Sequence, residues 1–165
     1  MIDQDLVARL ADLLDSELAS SGHDLVHDGP LAVGWATVEL DRAVVELGGA
    51  LRIPFGTFVA APGSVSLGAR CLVAEDVLRA GVSLALLEPN TEARLAATLA
   101  RYGEGPVALW LAVKNLAEAA LNLHRAGRPM SQPKAGPFGT ERLLLDGPTH
   151  GPHLLLVERP GTIRS

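Results

Sequence analysis

Apolar and polar positions follow two different periods along this chain, and the clearest stretch runs from Val82 to Gly127. Apolar residues first dominate a short run that ends in Leu86-Leu87-Glu88-Pro89. Beyond it, apolar residues recur at helical spacing. A second apolar run over Val107–Val113 precedes another helical pattern that extends to Arg125. The stretch therefore predicts the order strand, helix, strand, helix.

Capping and turn residues mark the ends of the two predicted helices. Asn90 or Thr91 is suited to cap the first helix, which Gly103 closes. Asn115 with Glu118 three residues later has the form of a capping box at the start of the second helix.

The residues before Val82 contain a helix, a strand, a second helix and a β-rich stretch. Residues 2–20 carry apolar residues at helical spacing, so an accessory helix packed against the main fold is expected there, with a solvated acidic face. Residues 31–38 predict a strand, and a helix opens at Glu39 and stops at Gly48-Gly49. Residues 52–74 have a β pattern, which Pro62-Gly63 interrupts.

Turn residues divide the C-terminal part into three short β segments. These are expected over Met130–Ala135, Glu141–Asp146 and His153–Arg159, and residues 161–165 form a tail.

The order strand, helix and three strands therefore occurs twice. The segment from Ala32 to Leu40 aligns with that from Ala108 to Leu116, and residues 85–89 align with residues 155–160. Such a repeat suits two copies of one sheet-plus-helix module, each of which would leave its sheet half covered if it were alone. The predicted organisation is an accessory segment at 1–30, modules at 31–89 and 107–160, and a linker helix and turn at 90–106.

Composition and charge narrow the class of protein. The chain has 165 residues, 48% of them hydrophobic, and a formal net charge of −5 without a cluster of Lys and Arg, which argues against nucleic-acid binding. No apolar run is long enough to span a membrane, and the N-terminus lacks a signal-peptide pattern. The lone Cys71 excludes an intrachain disulfide and is expected to be an inert packing residue in a cytoplasmic protein.

The stretch from Val82 to Arg159 resembles the vicinal oxygen chelate superfamily, which includes glyoxalase I, methylmalonyl-CoA epimerase, extradiol dioxygenases and bleomycin-resistance proteins. The resemblance rests on Leu86-Leu87-Glu88-Pro89, Gly103-Glu104-Gly105, residues 113–119 and residues 151–158. It extends more loosely into the first module and covers about 130 residues. It implies an α+β fold in which paired βαβββ modules form a curved sheet cup, here with an extra N-terminal helix.

Metal-dependent members of that superfamily carry His, Glu or Gln on the first and last strand of each module, and the metal stabilises an oxyanion. The corresponding residues here are hydrocarbon side chains: Ala32, Ala85, Ala108 and Leu155. Metal ligands need lone pairs on nitrogen, oxygen or sulfur, so the sequence predicts a cup with no metal and no other cofactor.

Period-two alternation predicts that Gly34, Ser83, Trp110 and His153 face the same side as those four residues. The eight residues together are the predicted ligand-binding surface. Trp110 serves there either as a stacking wall or as a core residue. His153 is the weak candidate for a catalytic group, because imidazole exchanges protons near neutral pH, and a solvated turn histidine is the alternative.

The remaining candidates are each weighed against a structural role. His23 and His27 are four residues apart, but Gly22 before them and Asp28-Gly29-Pro30 after them disfavour the rigid helix that a metal pair would need. His150 with His153 is an alternative metal pair that lacks a convincing third ligand. Arg70 and Arg142 either face the pocket, where they would pair with an anionic ligand, or point outward.

Three further residues are expected to be structural or exposed. Trp35 is expected to pack under a helix, Glu104 to be structural and His124 to lie on the surface.

Three functions remain open. The first is metal-free binding of a small, largely apolar or aromatic organic molecule, as in the bleomycin-resistance branch. The second is a metal-independent isomerase, lyase or cyclase that uses the same cup. The third is a structural or regulatory dimer with a filled cup. A homodimer is plausible in each case, and metal-dependent glyoxalase, epimerase or dioxygenase activity is disfavoured.

Overall fold

Eight strands and three helices make up the described part of the chain. The computed structural model describes residues 28–54, 56–78, 81–145 and 153–158. The strands are β1 (Pro30–Ala36), β2 (Val59–Ser64), β3 (Ala69–Ala74), β4 (Ser83–Pro89), β5 (Gly105–Val113), β6 (Lys134–Gly136), β7 (Gly139–Leu143) and β8 (His153–Glu158). The helices are α1 (Leu40–Leu51), α2 (Arg94–Tyr102) and α3 (Leu116–Arg125). The predicted N-terminal helix and His23, His27 and His150 lie outside the described residues.

The strands form one mixed sheet in the order β2-β3-β4-β1-β5-β8-β7-β6. Within each module the first and last strands are parallel neighbours, and the two modules join through the antiparallel pair β1 and β5. Ala32 pairs with Trp110, and Gly34 pairs with Ala108. Because Ala32 is equivalent to Ala108 in the repeat and Gly34 to Trp110, this pairing is symmetric about the pair Val33–Leu109. The predicted paired βαβββ architecture is confirmed.

The sheet curves until its two edge strands approach each other. The backbone N–H of Val65, just after β2, donates to the carbonyl of Ala135 in β6 at 3.0 Å. The hydroxyl of Ser64 in β2 also reaches the carboxylate of Glu141 in β7. We call this line of contact between β2 and the β6–β7 hairpin the seam. The curvature gives the sheet an interior face and an exterior face.

Alternation along the strands sends side chains to these two faces. The exterior face packs under α1 and α3, and its cluster includes Val33, Trp35, Leu84, Leu109 and Leu156. The interior face carries a separate cluster, to which α2 contributes Leu95 and Leu99. Helix α2 therefore covers one opening of the curved sheet, whereas α1 and α3 lie outside it.

Two helix boundaries differ from the predicted ones. Helix α1 passes through Gly48-Gly49 and ends at Leu51, because Arg52 adopts the left-handed conformation (φ 58°) and Ile53 N–H donates to the carbonyl of Gly48. Helix α2 has Ala93 rather than Asn90 or Thr91 at its N-cap.

The N-terminus of α2 is bonded to a strand turn instead of a capping side chain. Leu95 N–H donates to the carbonyl of Leu67, and Asn90 N–H donates to that of Gly68, both in the β2–β3 turn. Tertiary contacts thus supply the acceptors that a capping side chain would otherwise provide.

The predicted C-terminal β segments are displaced or shortened. The segment expected over Met130–Ala135 is reduced to β6 at Lys134–Gly136, and the one expected at Glu141–Asp146 is β7 at Gly139–Leu143. Pro129 and Pro133 lack the amide hydrogens that an earlier ladder would need, which explains the late start of β6. Strand β8 begins at His153 as predicted.

The helix of each module is capped by the last strand of the same module. Glu88 at the end of β4 accepts from Leu40 N–H at 3.0 Å, and Glu158 at the end of β8 accepts from Leu116 N–H at 2.9 Å. Asn115 Oδ1 also accepts from Glu118 N–H at 2.9 Å, as the predicted capping box requires. The repeat read from the sequence thus extends to individual hydrogen bonds.

Candidate functional site

The four residues that the resemblance aligns with metal ligands lie together in the interior cluster. Ala32, Ala85, Ala108 and Leu155 are each 0% exposed. Their side chains have no nitrogen, oxygen or sulfur atom and do not fit a metal ion. Within the described ranges, no group of three or more His, Cys, Asp or Glu is placed to hold a metal. We therefore derive no reaction step through a metal.

The interior is packed by the protein's own side chains. Trp110 is 0% exposed, and its ring makes an edge-to-face contact with Phe138 at a centroid distance of 5.3 Å. Gly34 lies beneath this ring, and a Cβ there would come within 2.8 Å of both Trp110 and Leu87. Only a glycine allows the indole to pass so close to β1. The eight predicted ligand-binding residues are all buried, and their role toward a ligand stays a prediction.

Among the residues that the structure describes, one carboxylic acid is buried in this apolar interior, namely Glu141 on β7. Its Oε1 accepts from Trp110 Nε1 at 3.0 Å, and its Oε2 accepts from Ser64 Oγ at 2.6 Å. A Cβ on Gly136 would overlap the carboxylate, so Gly136 provides space for it. Glu141 is 0% exposed. A group of this kind is costly to bury, and hydrogen bonds from Trp110 and Ser64 offset part of that cost.

Burial raises the pKa of Glu141 above its ordinary value, and the hydrogen bonds from Ser64 and Trp110 only partly oppose that effect. The nearby thiol of Cys71 responds to the same surroundings. Burial raises the pKa of Cys71 to about 12, and Glu141 adds to this shift. Cys71 is thus buried and protonated at neutral pH, in line with its predicted role as an inert packing residue.

Glu141 is not among the site residues predicted from the sequence, although the repeat contains a signal for it. Strand pairing places Glu141 opposite Val157 in the second module and Cys71 opposite Leu87 in the first. The two are therefore equivalent positions of the repeat, and both face the interior. An acidic residue at the position equivalent to a buried cysteine was the available clue.

His153 is buried at the start of β8 and is 3% exposed, so it is not a solvated turn residue. Its Nε2 lies 2.9 Å from Thr98 Oγ1 of α2, and that hydroxyl donates to the carbonyl of Arg94 at 3.0 Å. Because the Thr98 hydroxyl donates its hydrogen to the Arg94 carbonyl, we assign His153 Nε2 as the donor to Thr98 Oγ1. His153 therefore ties α2 to the sheet.

Both candidate arginines lie on the outer side. Arg70 forms an ion pair with Glu88, and its side chain is 60% exposed. Arg142 Nε donates to the carbonyl of Ser131 at 2.9 Å. Trp35 belongs to the exterior cluster, as its place in the alternation predicts. Ser83 is buried, and its Oγ accepts from Asp76 N–H at 3.2 Å.

Glu104 joins the two modules at the Gly103-Glu104-Gly105 turn. Its Oε2 accepts from Thr37 Oγ1 at 2.7 Å, from Val38 N–H at 2.8 Å and from Arg42 at 2.7 Å. Burial raises the pKa of Glu104, but these hydrogen bonds together hold it below its ordinary value. The contacts agree with the structural role predicted for Glu104.

A cavity of about 410 Å³ lies at the seam, and Glu141 is not part of its lining. Its lining includes Ser64, whose hydroxyl bonds to Glu141, together with Asn90 and Thr91 at the approach to α2. Pro62, Gly63, Val65 and Ala135 supply a mostly apolar wall. The seam cavity is thus an apolar space with three hydrogen-bonding side chains, and it is connected to the buried acid through one serine.

No protein-family model matches the chain, and no curated protein sequence matches it. Solved structures do. The methylmalonyl-CoA epimerase from Mycobacterium tuberculosis has a TM-score of 0.67 and 20% identity, over 83% of this chain and 91% of that one. A Streptomyces coelicolor methylmalonyl-CoA epimerase variant in complex with 2-nitronate-propionyl-CoA has a TM-score of 0.63 and 22% identity, over 81% and 94%. At these identities the likeness establishes the vicinal oxygen chelate fold alone.

Proposed function

We propose that this chain, which has the vicinal oxygen chelate fold, is a metal-independent protein that binds a small, largely apolar or aromatic organic molecule. The ligand sits in the seam cavity, and Glu141 with Ser64 takes the polar role that a metal has in other members of the superfamily. The predicted residues Ala32, Ala85, Ala108, Trp110 and Leu155 form the packed floor behind this site.

The observation that carries the proposal is the buried carboxyl of Glu141. An apolar residue at this position would pack against Trp110 and Val157 without the desolvation cost of an acid. The structure instead keeps an acid with a raised pKa, a donor from Trp110 and space created by Gly136. Perturbed acids of this kind in or beside a cavity are characteristic of functional sites.

The chemistry of the seam cavity indicates the class of ligand. A volume of about 410 Å³ lies within the usual range for small-molecule sites. Asn90 and Thr91 are suited to bond a carbonyl, hydroxyl or amide, Ser64 links the cavity to Glu141, and the apolar wall accommodates a ring or short chain. None of the three is a cation, so a neutral polar group suits the cavity better than a phosphate.

The test is a thermal-unfolding and fluorescence titration with indole, benzamide, cyclohexanone and octanoate, and separately with Mg²⁺, Co²⁺ and Ni²⁺. A Trp35→Phe background leaves Trp110 as the single indole reporter. At least one neutral probe should raise the melting temperature and change Trp110 emission, because ligands that bind only the folded state stabilise it. The metals alone should leave the melting temperature unchanged.

Glu141→Gln in the same background should weaken the response to the neutral probe. Glu118→Gln, which removes an equal charge from an exposed site on α3, should retain it. Stabilisation by a metal alone, or an equal probe response in Glu141→Gln, overturns the proposal. Absence of any response across the panel in the unsubstituted chain also overturns it and favours the structural role of a filled cup.

The second candidate is metal-independent catalysis in the same cavity, and the raised pKa of Glu141 favours it. An acid whose pKa is raised holds its proton to a higher pH than a solvated glutamate does, and it is suited to give that proton to a carbonyl oxygen and take one back from carbon. A bound probe incubated in D₂O would then gain deuterium, as read by mass spectrometry. If deuterium exchange persists in Glu141→Gln, or if the unsubstituted chain shows none, catalysis by Glu141 is ruled out and only the binding function remains.

A further inference from the structure

A groove of about 510 Å³ runs along the outer side of α3, and we call it the α3 groove. Its apolar lining comprises Ala117, Ala120, Leu121, Pro129 and Met130, and its polar residues are His124, Gln132 and Arg142. Leu121 is 48% exposed at its centre. An exposed leucine in a concave apolar surface with a basic rim is typical of a surface that another segment covers.

The first module contains the equivalent position on α1, but its surroundings are different. Val45 corresponds to Leu121 in the repeat and is 65% exposed. The depression beside it measures about 200 Å³ and is lined by Val44, Val45, Gly48, Gly49, Ile53, Pro54 and Phe58, none of which is charged. Of these two depressions, only the groove of the second module combines an apolar floor with a guanidinium, that of Arg142.

The chain holds one segment of complementary chemistry. Six of the 19 acidic residues but one of the 14 basic residues lie in residues 1–27, so the remaining residues are formally neutral. The same segment carries Ile2, Leu6, Leu10, Leu13 and Leu18 at helical spacing, a stripe that needs an apolar partner. Acidic and apolar residues together match the rim and floor of the α3 groove.

The point where this segment joins the fold also directs it to α3. Asp28 N–H donates to Ala112 O at 2.7 Å, and Asp28 shares a depression with Asn115, at the N-cap of α3, and with Glu118 and Asn122 within that helix. The helix expected from the sequence over residues 2–20 would be about 28 Å long, and α3 is about 15 Å long. Residues 21–27 are long enough to turn the chain back along α3.

We propose that residues 2–20 dock in the α3 groove, with their leucine stripe on Leu121 and their acidic residues facing His124 and Arg142. This interaction is independent of any ligand at the seam cavity. It gives the accessory segment a specific position on the second module.

Disulfide trapping in the full chain tests the proposal. Leu6, Leu10 and Leu13 are changed to Cys one at a time, each combined with Leu121→Cys or with the matched control Val45→Cys. Because a tethered segment has a high effective concentration at its docking site, one of the three should cross-link to position 121 at least about tenfold faster than to position 45. Cys71 is buried with its pKa raised to about 12, so it does not compete.

Arg142→Gln should slow the trapping at position 121, and so should high salt, because both weaken attraction to the acidic residues. Equal trapping at the two positions, preference for position 45, or no trapping at either overturns the proposal. Disulfides that form only between molecules also overturn it and assign the groove to a second copy. Hydrogen exchange over residues 117–124 gives a second readout, with faster exchange expected when Leu6, Leu10 and Leu13 are all changed to Asp.

Discussion

Trp110 Nε1 donates to Glu141 Oε1 at 3.0 Å across the interior of the sheet, and strand β8 lies between the two strands that carry these residues. The two residues are 31 positions apart in the sequence. Their hydrogen bond orients the largest interior side chain and satisfies the buried acid. It therefore couples the packing of the cup to the ionisation of one group.

Glu141→Gln should change how stability depends on pH. Burial raises the folded-state pKa of Glu141 above the value of about 4.3 for an unfolded chain. Its contribution to stability is thus fully present below that unfolded value and is lost as pH rises through the folded pKa. The unfolding free energy of the unsubstituted chain minus that of Glu141→Gln should therefore fall as pH rises.

Urea unfolding at a series of pH values from 3.5 upward measures this difference. Glu118→Gln corrects for the general effect of removing one negative charge. A difference that stays constant with pH, or that grows as pH rises, would contradict the assigned burial of the acid.

Gly34→Ala should destabilise the fold by about 1–3 kcal/mol, the usual cost of forcing an extra methyl into a packed core. The new Cβ would come within 2.8 Å of Trp110 and Leu87. Gly49→Ala is the matched control, because a Cβ at Gly49 meets nothing within 4 Å and alanine favours the helix. Chemical denaturation of the two variants measures both effects. Equal stabilities would show that Trp110 is not held against β1.

Glu158→Ala should destabilise α3, and Glu88→Ala should destabilise α1. Each substitution removes an acceptor for the first amide of a helix, and such capping interactions are worth about 0.5–2 kcal/mol. Hydrogen exchange at Leu116 should accelerate in the first variant, and that at Leu40 in the second. If either variant affected both helices equally, the pairing of each glutamate with its own module would be wrong.

Much of the fold was predictable because it depends on local patterns. The period-two runs, the turn residues and the repeat of residues 32–40 at 108–116 indicated the paired modules, and the structure confirms them. The capping box at Asn115 was likewise readable, since its partner Glu118 lies within one helical turn. The predicted end of α1 at Gly48-Gly49 was wrong, because Ile53 N–H bonds to the Gly48 carbonyl and the chain leaves the helix only at Arg52.

The sequence by itself determined that Ala32, Ala85, Ala108 and Leu155, which the resemblance aligns with metal ligands, carry hydrocarbon side chains, because a residue's chemistry is independent of its surroundings. Only the tertiary structure decided what occupies the interior. Strand pairing and sheet closure bring Glu141, Trp110 and Ser64 together from separate strands. Helix α2 closes one opening through a bond between Thr98 and His153. Contacts between residues so far apart depend on register and curvature, which no local pattern encodes.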